Sequence, residues 1–282
     1  MKMTIKTILA VLDNSKHVPG VVSVAADLAQ RFESHLVGLY AVHAEAQAHA
    51  LQDEWMAVKL ESYARKLGEQ AQRSEAAFQQ YAKAVLGSSA EFRRADQDSL
   101  GAVTVQARYA DLVVMGQRDP DEGGSGVPNS IVERAVLAAG RPVLVVPYFV
   151  NAYPDLGRNV LVAWSGTRES VRAVRDALPL LKRARNVVIM AVNPTTSKRG
   201  HGDVPGADLA LYLARHGVKA EARPGVALEI GIGDELLARA SDMGSDLLVM
   251  GAYGHSRLQE LVMGGVTQTI MQHMTLPVLM SH

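Results

Sequence analysis

The stretch GAYGHSRLQELVMGGVT, residues 251–267, sets Gly251, Gly254, Gly264 and Gly265 around a short helix-like run and ends on a hydroxyl, Thr267. Glycine costs about 1 kcal/mol relative to alanine in a helix interior, so glycines at both ends of an amphipathic segment need a reason. Glycine lets backbone N–H groups come close to an anion. A helix start near Gly264–Thr267 would add the positive end of its dipole. That is the chemistry of a phosphate cradle, with Val266 inside it and His255 as a further donor. The plainer alternative is two turns around a packing helix.

Other stretches offer weaker chemistry. WSGTRES (164–170) loosely resembles SGGxDS, the pyrophosphate loop of ATP-splitting amide-forming enzymes, with Thr167 at the second glycine and Glu169 at the acid. A helix cap through Ser165 or Thr167 explains the same residues. GIGDEL (231–236) lacks the third glycine of a dinucleotide fingerprint and reads better as the start of a helix. Lys198 and Arg199, in KRGHGDVPG, follow a strand and fall near the same rim as candidate phosphate partners. The 9 histidines make no HExxH spacing, and 0 cysteines exclude disulfides and thiolate zinc sites.

These residues are carried by a module written twice. ADLVVMG (110–116) matches SDLLVMG (245–251), and RPVLVVP (141–147) matches LPVLMSH (276–282). The same 26 residues separate Gly116 from Pro142 and Gly251 from Pro277, an offset of 135 without a gap. TILAVLDNS (7–15) likewise resembles NVLVAWSGT (159–167). Within each copy, short apolar runs alternate with amphipathic ones, the pattern of parallel strands covered by helices on both faces. The expected architecture is α/β, two doubly wound five-stranded parallel-sheet domains at 1–149 and 157–282, joined by a connector over 147–158. The first copy carries a longer polar helix, near 45–84, with Trp55, Met56, Leu60 and Leu67 as core contacts. In such sheets ligands bind beyond the carboxyl ends of the strands, and DLLVM delivers Gly251 and Gly254 to that rim.

The spacing Gly251-x2-Gly254-x9-Gly264-Gly265, between DLLVMG and PVLM, resembles the ATP-binding signature of universal stress proteins, and tandem members of that family are known. The resemblance implies an adenine nucleotide alpha hydrolase-like fold. It also implies a pseudo-dimer in which the last strands, PVLVVP and PVLM, meet. It implies an ATP or AMP site in the second half, formed by Gly251, Gly254, His255, Gly264, Gly265, Val266 and Thr267, with Ser165 and Val192 at the adenosine end and magnesium accompanying ATP. Two departures weaken that site. Gly265 replaces the family's Ser/Thr after the third glycine, and Ser165 replaces its acidic residue at the end of the first strand. Losing a charge-assisted hydrogen bond costs about 1.5–3 kcal/mol.

The first half inverts the pattern. Asp13 supplies the acid and Ser130 the hydroxyl, while Gly116 is followed by Asp119 in place of a glycine and Asn129 replaces the third glycine. Asp119, with Asp121 and Glu122 close by, is expected to repel phosphates. Asp13 serves equally as a helix cap.

Lys+Arg and Asp+Glu both number 29, so no basic face points to nucleic acid. The N-terminal apolar run ends at Asp13, too short for a signal-peptide core or a membrane span. The expectation is a cytoplasmic stress-response protein that binds an adenine nucleotide in its second half, with little or no catalysis. Protein partners and further homodimerisation are open. The alternatives are a nucleotide-free scaffold that recruits a partner and, remotely, a pyrophosphate-loop enzyme.

Overall fold

An unbroken apolar run makes strand β1 (Thr7–Leu12), buried from Ile8 to Leu12. Helix α1 (Val18–Phe32) begins on a proline, pre-organised for a first turn, and stops where Glu33 turns left-handed at φ 53°. Strand β2 (His35–Ala41), helix α2 (Met56–Phe78), β3 (Ala90–Ala95), α3 (Ser99–Ala107), β4 (Leu112–Gly116), α4 (Asn129–Ala138) and β5 (Val143–Val146) complete the first half. A Cβ on Gly38 would lie 2.5 Å from the Phe78 ring, so this glycine in β2 makes room for the long helix to pack. The computed structural model describes residues 4–13, 15–41, 56–95, 99–121, 129–149, 153–193, 205–225, 231–254 and 265–282. Trp55 lies outside them, as do the side chains of Met56, Leu60 and Leu67.

The second half repeats the order: β6 (Asn159–Ala163), α5 (Arg168–Leu181), β7 (Asn186–Val192), α6 (Ala207–Arg215), β8 (Glu221–Gly225), α7 (Ile232–Asp242), β9 (Leu247–Gly251), α8 (Gly265–His273) and β10 (Val278–Ser281). Each half thus contributes five strands, as the repeat implies.

The chain forms two units. One, built from Ile5–Arg141 with Tyr148–Ala152, orders its strands β3-β2-β1-β4, all parallel. The other takes Pro142–Pro147 together with Tyr153–His282 and orders its strands β5-β10-β9-β6-β7-β8. Its last five are parallel, and β5 runs antiparallel to β10. The last strands of the two copies therefore meet. Leu144 faces Leu279, which is its own equivalent in the repeat.

The duplication extends to hydrogen bonds. Asp111 Oδ2 accepts from the N–H groups of Lys6 and Thr7 at 2.7 and 3.0 Å. Its equivalent, Asp246, accepts from Arg158 and Asn159, each at 3.0 Å. One acid in each half thus pins the start of the first strand to the start of the fourth. No helix among the described residues is long and apolar enough to cross a membrane.

Candidate functional site

In the second unit the strand order runs outward from β6 in both directions, to β7 on one side and to β9 on the other. Their carboxyl ends part at that point, the usual ligand position in an open α/β sheet. A cavity of about 470 Å³ lies there, within the range of small-molecule sites. Met190 and Val192 at the end of β7, with Ile232 and Leu236 on the first turns of α7, make an apolar wall. Trp164, Ser165 and Thr167 line it from the β6–α5 turn, and Gly251, Tyr253 and Gly254 from the end of β9. Gly265, Val266 and Thr267 close it with the first turn of α8. The starts of α5, α7 and α8 all border the cavity, so their positive dipole ends favour an anion.

The structure therefore brings together seven of the nine second-half candidates: Ser165, Val192, Gly251, Gly254, Gly265, Val266 and Thr267. His255 and Gly264 lie outside the described residues, as do Lys198 and Arg199. Thr267 is 4% exposed, and its Oγ1 accepts from the Tyr253 N–H at 3.4 Å. Its hydroxyl thus ties α8 to the loop after β9. Tyr253 itself sits at φ 59°, a conformation that a bulky residue adopts only where its surroundings enforce it.

The glycines have different reasons for being glycine. A Cβ on Gly251 would press on Ser170 N and lie 2.6 Å from the Glu169 carbonyl carbon, because the N-terminus of α5 abuts the end of β9. A Cβ on Gly254 would lie 2.9 Å from Glu169 Oε2 and 3.2 Å from Thr167 Oγ1. A Cβ on Gly265 would meet no described residue within 4 Å. Packing therefore demands the first two, while no described residue crowds Gly265.

Glu169 is the site residue that sequence reading assigned only to a remote enzyme alternative. It is 2% exposed, and Arg168 Nε donates to its Oε1. Its Oε2 has no hydrogen-bond partner among the described residues. Burial, the largest influence, pushes this carboxyl up, but the Arg168 guanidinium and the backbone N–H of Glu169 together hold it below the ordinary glutamate value. The only cue in the sequence was its place two residues after a capping threonine, where helices favour acids. The cap is observed: Ser170 N donates to Thr167 Oγ1 at 3.4 Å, and Ser170 Oγ to the Thr167 carbonyl at 2.8 Å. The WSGTRES loop is thus a helix cap. In GIGDEL, Gly231 precedes α7, and a Cβ on Gly233 would lie 2.8 Å from Thr269 Cβ. That segment packs α7 against α8.

The first half's equivalent place is filled. Asp119 Oδ2 lies 2.8 Å from His17 Nε2 and 3.1 Å from Lys16 Nζ, and the Asp121 N–H donates to Oδ1 at 2.9 Å. The hydrogen bond from His17, above all, lowers the Asp119 carboxyl to about 2, against the opposing effect of burial. Asp119 is 5% exposed, so the charge expected from the sequence to repel phosphates is a satisfied internal anion. Asp13 Oδ1 accepts from the Ser15 N–H at 2.9 Å, closing its own turn. Gly116 ends β4, where a Cβ would lie 3.2 Å from Val21 Cγ2. Ser130 is the second residue of α4, and residues 122–128 lie outside the described ones. Among the described residues no group of three or more His, Asp or Glu converges as a metal site.

Comparison with known proteins gives one family. The profile of the universal stress protein family matches residues 4–147 and 157–282. Over 175 residues the chain is 27% identical to Universal stress protein Slr1230 of Synechocystis sp., an alignment that covers 60% of this chain and 57% of that protein. The chain thus spans little more than half the length of that relative. A universal stress protein structure from Archaeoglobus fulgidus superposes over 98% of this chain and 95% of its own, with a TM-score of 0.68 at 16% identity. A functionally unknown protein from Pseudomonas aeruginosa, PA1789, superposes over 98% of this chain and 92% of its own, with a TM-score of 0.56 at 14% identity.

Proposed function

Because the chain belongs to the universal stress protein family, we propose that it is a stress-response regulator whose second half binds one adenine nucleotide. The observation that carries this reading is the cavity at the β6/β9 parting, apolar at one end and ringed by glycine backbone and helix N-termini at the other. A purine base fits against Met190, Val192, Ile232 and Leu236. The phosphates fit over Gly254 and the free space at Gly265. Ser165 and Thr167 lie between, at the ribose. ATP brings its magnesium with it, while AMP needs none. The reading is of binding, with at most slow hydrolysis. We read the first half as nucleotide-free, because Asp119, His17 and Lys16 already satisfy one another where Gly254 leaves room in the second.

Calorimetric titration of AMP and of Mg-ATP into nucleotide-stripped protein tests this. One equivalent per chain is expected, and none in Gly265→Asp, which sets a carboxylate at the phosphate end, where an added Cβ meets no described residue within 4 Å. Two equivalents would return the first half to the account. No binding at millimolar ligand would favour the scaffold alternative.

A further inference from the structure

Resting on the nucleotide reading above, we propose that the ribose end of the cavity accepts an adenosine nucleotide with a second phosphate, esterified to a ribose 2′ or 3′ oxygen. The evidence lies in what the two halves place at the turn after their first strand. In the first half that turn carries the Asp13 carboxylate, which accepts from the Ser15 N–H at 2.9 Å. The aligned residues of the second half are Ser165 and Thr167, whose hydroxyl oxygens lie 3.0 Å apart and both line the cavity. Trp164, beside the apolar wall, precedes them, and Thr167 Oγ1 reaches to 3.2 Å from where a Gly254 Cβ would be. With the base on that wall and the 5′-phosphate at Gly254 and Gly265, the ribose edge meets these two hydroxyls.

The change of residue type reverses the chemistry. An ionised carboxylate only accepts, so it suits free ribose hydroxyls and repels a phosphate there. Serine and threonine hydroxyls donate as well as accept, so they serve a phosphate oxygen. The surrounding charge agrees. Thr167 caps the 14-residue helix α5, and Arg168, the next residue, is 86% exposed. Only its Nε is committed among the described residues, to Glu169, which leaves the terminal guanidinium nitrogens for a second anion. The Glu169 carboxylate is buried beneath Gly254, with Arg168 against it. Among the described residues, the turn after β6 thus carries hydroxyls where the first half's counterpart carries the Asp13 carboxylate.

Calorimetry with AMP, adenosine 2′,5′-bisphosphate and adenosine 3′,5′-bisphosphate tests this on the full-length protein. One of the bisphosphates is expected to bind at least about tenfold tighter than AMP. Ser165→Asp should reverse that ratio, and Arg168→Gln should bring it towards one. Thermal unfolding of both variants confirms that they fold, and if one does not, the ratio in the other decides. AMP binding with no bisphosphate preference, or a preference unchanged in both variants, overturns the proposal and leaves the nucleotide site standing. No binding of any adenine nucleotide overturns both.

Discussion

His17 and Asp119 meet across 102 residues of chain, with Nε2 at 2.8 Å from Oδ2. In the second half the aligned positions are Glu169 and Gly254. There the acid has moved to the helix side, and the loop side carries no side chain at all. The same point in the fold is thus filled by a hydrogen-bonded histidine–aspartate pair in one half and left open by a glycine over a buried carboxylate in the other. On the proposed reading, that exchange decides whether each half can take a phosphate.

Gly254→Asp should therefore fail in a way its model in the first half does not. The new carboxylate meets Glu169 Oε2 in place of a histidine, and its Cβ starts 2.9 Å from that oxygen. Overpacking of this kind costs about 1–3 kcal/mol, and like charges add to it. Adding Glu169→His recreates the first half's pair and should recover most of the lost midpoint in urea unfolding, without restoring nucleotide binding. A double variant no more stable than the single one would mean that the two positions do not interact as described.

Gly251 and Gly265 should separate packing from binding. Gly251→Ala drives a methyl into the N-terminus of α5 and is expected to cost about 1–3 kcal/mol of stability. Gly265→Ala meets no described residue within 4 Å and sits in a helix, so stability should change by less than about 1 kcal/mol, with a gain the expected sign. Chemical denaturation of both variants checks this. Equal destabilisation would contradict the distinct surroundings of the two glycines.

The ion pair around Asp119 gives the stability a defined acid dependence. Its carboxyl titrates near 2 when folded, against 3.8 when free. The folded state thus binds fewer protons than the unfolded one between those values. The stabilisation is fully present above about pH 4 and is lost as the pH falls towards 2. Asp119→Asn lacks that component. Urea midpoints at about pH 6 and pH 3 should fall further in the wild type than in this variant, and parallel falls would remove Asp119 as the cause.

Much of this was legible in the sequence. The repeat at 110–116 and 245–251 gave the duplicated sheet, and short apolar runs such as TILAVL and NVVIMAV gave its central strands. Parallel topology then placed Gly251, Gly254 and Ser165 at one rim. What stayed hidden depends on contacts distant in the chain. The demand for glycine at 251 comes from α5, which begins 83 residues earlier at Arg168 and presses on the end of β9. Asp119 reads as a bare repelling charge until folding brings His17 to it. Ile232 and Leu236 look like ordinary helix positions in GIGDEL, and only the packing of α7 against α8 through Gly233 turns them to the cavity. Strand β5 pairs with β10 as the family resemblance implies, although a short, fully apolar run such as VLVV does not by itself specify that partner.

Trp164 offers the most direct test of where the ligand sits, since it lines the cavity and Trp55 is the only other tryptophan among the 2 in the chain. In a Trp55→Phe background, Trp164 fluorescence should change saturably as AMP or Mg-ATP is titrated into stripped protein, reaching its limit at one nucleotide per chain. The change should be absent in Gly265→Asp. An unchanged Trp164 signal, with calorimetry still reporting tight binding, would place the nucleotide elsewhere and contradict the assignment of this cavity.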